Sequence, residues 1–317
     1  MGGLTLPIWR KPPRISVVSQ LPTDPISPPP FLDVNTLIES SRPVRRINWF
    51  WIILGAFALL TLVGNIGATK DPQISQALQV LTGVMMVGIA AVGIAGSIMT
   101  VRKLRAQQQI VDAIDEMMQL RRWEPAGMLL DRFLTAPVRS VRMWATSLVQ
   151  LAGLLCRHHR FEDAIAVQDF IIENELLDDH GDYVVRIGRA MAMLREDHLV
   201  DADRAISDIR KRGPAEGTAG LALVEIYRDV KTGHPDEAIE IFSKHLPQIR
   251  LQLGHRVADA HALVARAYDM LGREPEARAA YERATLLAPA IELQRRYPEL
   301  LKLADKYPAA PAPKEVT

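Results

Sequence analysis

The chain reads as an all-α protein, an α-solenoid of about five helix pairs preceded by a two-helix transmembrane hairpin. Three features carry this expectation. Two uncharged apolar runs lie close together near the start, at 49–68 and 77–101. From Arg102 to about Tyr307 apolar residues recur at helical spacing, with no convincing strand pattern. Within that stretch small residues return at a nearly constant interval, as stacked repeats require.

At 317 residues the chain can hold a repeat domain of about 200 residues and further segments. Its charge is balanced, with 38 Lys and Arg against 37 Asp and Glu. Over 102–317 the balance is 31 to 33, so no basic field points to nucleic acid as a partner. The one cysteine, Cys156, excludes an intrachain disulfide and a cysteine-rich metal site. Its position suits a small buried helix residue.

Residues 1–47 carry prolines at 7, 12, 13, 22, 25, 28, 29, 30 and 43. Each fixes φ and removes a donor, so this part reads as a mostly extended, disordered tail. Residues 48–101 then read as the hairpin, with spans about 49–68 and 77–101. At 1.5 Å per residue these runs reach roughly 30 and 37 Å, enough for a hydrocarbon core. Trp49 and Trp51 would stand at the interface. Arg42, Arg45 and Arg46 precede the first run, and Arg102, Lys103 and Arg105 follow the second. The positive-inside rule therefore predicts an integral, multi-pass membrane protein with both termini and the repeat domain in the cytoplasm. On this reading the lipid bilayer is one partner. Neither run contains an ionisable group, which leaves nothing for transport chemistry.

The repeat domain is predicted over 102–307, with a loose tail at 308–317. Its clearest unit is ADAHALVARAYDMLGREPEARAAYERATLLAP, residues 258–289. Two amphipathic helices meet at Gly272 and Pro289 ends the second. Ala265 and Ala277 sit where paired helices cross, and Tyr268 and Tyr281 fill the space between pairs. Using Ala277 as a ruler, equivalent residues are Ala126, Ala164, Ala202 and Ala238, at intervals of 38, 38, 36 and 39. Ala152 and Ala190 lie twelve residues before their markers, as Ala265 does. Tyr227 lies eleven before Ala238 where Tyr268 lies nine before Ala277, two residues too far upstream, so 231–235 reads as a longer turn. A last helix at 298–306 would cap the stack.

Ala265, Tyr268, Gly272, Ala277, Tyr281, Ala284 and Pro289 resemble the tetratricopeptide repeat, TPR. The family's frequent early Trp is replaced by His261. The resemblance implies a superhelix whose concave wall of first helices binds a partner protein or peptide. Mapped onto this chain, the inward positions are Val149, Arg157, Val184, Ile187, Met191, Arg195, Arg228 and Arg266. An apolar centre with an arginine rim suits an amphipathic segment bearing carboxylates. Asp259, Ala262 and Arg266 stand where some relatives grip a terminal carboxylate with Lys and Asn, so that grip is not expected. The histidine clusters at 158–162 and 178–182 lack metal-ligand spacing, and no phosphate loop or nucleophile motif is present. The sequence thus predicts neither cofactor nor metal nor catalysis. It predicts a membrane-tethered interaction adaptor or scaffold, with a structural subunit of a larger membrane complex as the alternative.

Overall fold

The structure, a computed structural model, describes residues 34–43, 55, 72–213 and 218–307. All regular elements among them are helical. They are α1 (Val34–Ser41), α2 (Pro72–Gln119), α3 (Trp123–Leu134), α4 (Val141–Arg157), α5 (Phe161–Glu173), α6 (Asp179–Arg195) and α7 (Leu199–Arg212). There follow α8 (Ala219–Thr232), α9 (Pro235–Gln252), α10 (Val257–Met270), α11 (Glu274–Leu287), α12 (Ala290–Arg296) and α13 (Leu301–Lys306). Short 3-10 turns precede α10 and α13. The end of α2 pairs with α3, and α4 with α5, α6 with α7, α8 with α9, and α10 with α11. Each pair packs on the next, which makes the fold a helical solenoid.

One local device builds all five pairs. Between first and second helix, a single residue takes a left-handed φ: Arg121 57°, His159 59°, Asp197 60°, Gly233 82° and Gly272 70°. The amide that follows it donates to the carbonyl five residues back, at 2.8–2.9 Å in every case: Arg122 to Met117, Arg160 to Leu155, His198 to Met193, His234 to Asp229 and Arg273 to Tyr268. This bond satisfies a carbonyl that the helix end would leave bare, the geometry of a Schellman turn. Each left-handed residue stands five before a marker alanine, and Ala126, Ala164, Ala202, Ala238 and Ala277 are all fully buried. Twelve before the markers lie Ile114, Ala152, Ala190, Ile226 and Ala265, also buried. The fourth turn is therefore no longer than the others. Ile226 occupies its crossing position, and Tyr227 is simply the next residue.

The core has two parts that meet at α5 and α6. The N-terminal part gathers α1 and the side chains of α2 to α5, among them Leu37, Ile114, Leu130, Trp144 and Leu151. The C-terminal part runs from Phe161 to Tyr307 and includes Ile206, Phe242, Tyr281 and Tyr297. The four-after-marker position explains the division. It holds Leu130, Ile206, Phe242 and Tyr281 in four pairs but Gln168 in the other, and Gln168 Oε1 is buried without a hydrogen-bond partner among the described residues. A polar group there interrupts apolar contact across the stack.

Two expectations change. Within the predicted N-terminal tail, 34–41 is a helix: Val34, Leu37 and Ile38 enter the core, and Trp144 Nε1 donates to Ser41 Oγ at 2.8 Å. Residues 1–33 and 44–47 of that tail, the first apolar run save Gly55, and the C-terminal tail 308–317 lie outside the described residues. The second change concerns the membrane. Among the described residues no helix is long and apolar enough to cross one. The second apolar run is no separate span but the front of the 48-residue α2, which continues through Arg102, Lys103 and Arg105 into the packed repeat domain. The multi-pass membrane placement, the bilayer as partner and the cytoplasmic orientation derived from it are corrected accordingly. Val92, Ile94, Ile98 and Met99 on this stretch are exposed.

Candidate functional site

The candidate site is the wall formed by the first helices, because residues from several of them converge there on one segment, α12 to α13. This segment reaches back over the wall as well as covering the last pair. At the stack end Lys306 pairs with Asp269 and Glu274, and the Arg278 guanidinium lies over the Tyr307 ring. Across the wall, Tyr227 of α8 donates its hydroxyl to Glu299 at 3.2 Å. Lys231, one turn on, is 3.3 Å from the same carboxylate and donates to the Leu194 carbonyl at 2.6 Å. Its ammonium also pairs with Asp197.

Tyr297 is the centre of the contact. Its ring meets Tyr227 edge-on, with centroids 5.0 Å apart, and lies 5.4 Å from the Arg195 guanidinium. The same guanidinium lies 5.4 Å from the Phe161 ring. The Tyr297 hydroxyl donates to Asp259 at 3.3 Å, and Arg296 donates to the other Asp259 oxygen at 2.5 Å. Burial first, and then the neighbouring Asp259 carboxylate, push the Tyr297 hydroxyl up to about 12. It therefore remains a donor at neutral pH. Asp259 is fully buried, so its two partners supply what water would otherwise give.

Beyond this segment, toward the first pair, the wall opens into a recess of about 580 Å³. Arg121, Arg157, Arg195, Arg256, Arg295 and Arg296 line it with His159 and His255, against one carboxylate, Glu292. Glu292 accepts from Arg296 at 2.9 Å and from Arg121 at 3.3 Å, tying the first turn to α12. Arg157 lies 5.3 Å from the Trp123 ring. Burial lowers the affinity of His159 and His255 for protons, and adjacent guanidinium charge adds to the effect. Burial also pushes the Cys156 thiol up, which leaves it a poor nucleophile. Among the described residues no group of three or more metal-ligating side chains is assembled.

The sequence-predicted positions scatter. Arg157 and Arg195 come together in the recess. Met191 is core, Ile187 packs against the core and against Gly220, and Val149 is half-buried in the N-terminal part. Val184 is exposed. Arg228 pairs with Asp229 and Asp203, and Arg266 with Asp269, so both serve local ion pairs. Sequence reasoning missed Lys231. The signal was present, since Arg157, Arg195 and Lys231 each stand seven before their marker alanines. They form a ladder of cations along the wall.

No protein-family model matches the chain, and no curated protein matches it. Among solved structures it is similar to a thermophilic TPR protein of Thermus thermophilus, at 20% identity and a TM-score of 0.46, over 62% of this chain and 99% of that one.

Proposed function

We propose that the chain is a protein-interaction adaptor or scaffold whose first-helix wall holds a partner segment bearing aromatic and carboxylate side chains. One observation carries the reading: the wall already holds such a segment from its own chain, through Tyr297 and Glu299 on Tyr227, Arg195 and Lys231. A surface that binds in cis offers the same rings and cations to a competitor in trans. Arginine and lysine ladders with flanking aromatics are suited to recognising acidic amphipathic segments. Arg157 and Arg195, which line the recess together, fit this reading.

The test is peptide selection on the full chain. Selected peptides should place an acidic residue within a few positions of an aromatic one, as Tyr297-Pro298-Glu299 does. Lys231→Glu should lose them, and binding should expose 290–307 to protease. Selected sequences without acidic residues, or equal binding by Lys231→Glu, would sink the proposal.

A further inference from the structure

The recess at the first-pair end of the wall is built partly from the segment that Tyr297 anchors, through Glu292, Arg295 and Arg296 of α12. Its lining is six arginines against one carboxylate, and Glu292 is already shared between Arg121 and Arg296. Among the described residues Arg157, Arg195, Arg256 and Arg295 have no carboxylate partner. Arg157 Nε and Arg195 Nε are moreover buried without a hydrogen-bond acceptor among the described residues. A buried donor left bare costs about 1–3 kcal/mol, more when charged, so the described residues do not by themselves satisfy these two guanidiniums. Both guanidiniums are also held by rings, Arg157 by Trp123 and Arg195 by Phe161 and Tyr297. Their planes are thus set before anything arrives, and a planar fork held in place loses little freedom on binding.

We infer that this recess binds a small molecule carrying a di- or triphosphate group. A cavity of about 580 Å³ falls within the small-ligand range of roughly 300–1,000 Å³. Several charges are needed, because a single carboxylate would leave most of the guanidiniums as they are. Phosphoryl oxygens match the guanidinium fork two at a time. Glu292 occupies the place an anion would take at Arg121 and Arg296, so it competes with the ligand rather than helping it. The inference goes beyond the adaptor reading and uses a different ligand, so either can fail alone.

The experiment is calorimetric titration of the full chain with inorganic tripolyphosphate and pyrophosphate, with citrate as a polycarboxylate of similar charge. Tripolyphosphate should bind tightest. Arg256→Gln with Arg295→Gln, at two positions that make no ion pair among the described residues, should weaken it by about tenfold or more, the scale of a lost charge-assisted contact. Glu292→Gln should tighten it, a result that mere structural damage would not give. Arg204→Gln, in a surface pair with Asp201, should leave it unchanged. No binding at millimolar tripolyphosphate, equal binding by the double variant, or citrate binding as tightly as tripolyphosphate would each overturn the inference.

Discussion

Both ends of the solenoid are closed by short segments of the same chain that bury apolar side chains, and they differ in how much charge is added to that burial. At the N-terminal end α1 lies against α3 and α5, on the second-helix side. Val34, Leu37 and Ile38 are buried, the Val138 amide donates to the Ser41 carbonyl at 3.0 Å, and Ser40 donates to the Leu134 carbonyl at 2.9 Å. The Arg42 guanidinium lies 5.6 Å from the Phe170 ring, and no ion pair joins α1 to the repeats among the described residues. At the C-terminal end the segment lies on the first-helix side and is held by Glu299, Asp259, Glu292 and their cationic partners around Tyr297. Burial resists salt, whereas the more exposed outer pairs of the C-terminal closure, Arg121 with Glu292 and Lys306 with Glu274, are screened by it. The first closure is therefore almost wholly apolar, while the second adds ion pairs to its own buried Leu293, Tyr297, Leu300 and Leu303.

The two closures should part most widely at Leu37→Ala. Leu37 is fully buried, so the change should cost about 2–5 kcal/mol in denaturant titration. The loss should be independent of salt. Lys231→Met should cost about 1–3 kcal/mol, because Glu299 loses its cation. Here salt should do much of what the mutation does, raising protease cutting within 290–307 but not within 34–43. Equal salt response at the two ends would erase the distinction.

A smaller effect concerns pH. Burial first, then Arg250 and Arg283, hold His261 below its ordinary 6.5. The unfolded chain therefore binds the proton more readily in that window. Stability is fully present above the unfolded value and declines as pH falls through it toward the folded value. His261→Phe, next to Phe242 at 5.2 Å between ring centroids, should flatten that decline as read by thermal melts from about pH 7.5 to 5.5. The smallest effect is at the turns. His159→Gly should stabilise by up to about 1 kcal/mol, by relieving a left-handed non-glycine residue. No gain in the denaturation midpoint would show that the His159 ring, edge-on to Phe161 at 5.5 Å, offsets the strain.

The repeat register was legible because small residues at a helix crossing leave a mark in sequence. Ala126 to Ala277 carried it without help from the turns, where only Gly233 and Gly272 are glycine and Arg121, His159 and Asp197 reach the same φ against their preference. The face of each first helix was less legible. Met191 looked inward by counting but enters the core, since α6 is covered on more than one side. Lys231 was hidden by the assumption of a longer fourth turn, which shifted attention to Arg228. Eight residues of helix between Pro30 and Pro43 gave no periodic signal long enough to separate α1 from a tail. The convergence of Glu292, Tyr297 and Glu299 on the wall depends on contacts dozens of residues apart, which no local pattern encodes.

The contact between Arg121 and Glu292 spans 171 positions of sequence. A repeat stack touching only its neighbours behaves like a coil spring, whose pitch opens under small loads. Here an exposed ion pair ties the last turn to the first, a latch worth at most about 1 kcal/mol. Tension applied at the C-terminus should first peel α13, then Tyr297, then the latch, and only afterwards stretch the coil itself. The molecule would be stiff at low force and yield stepwise.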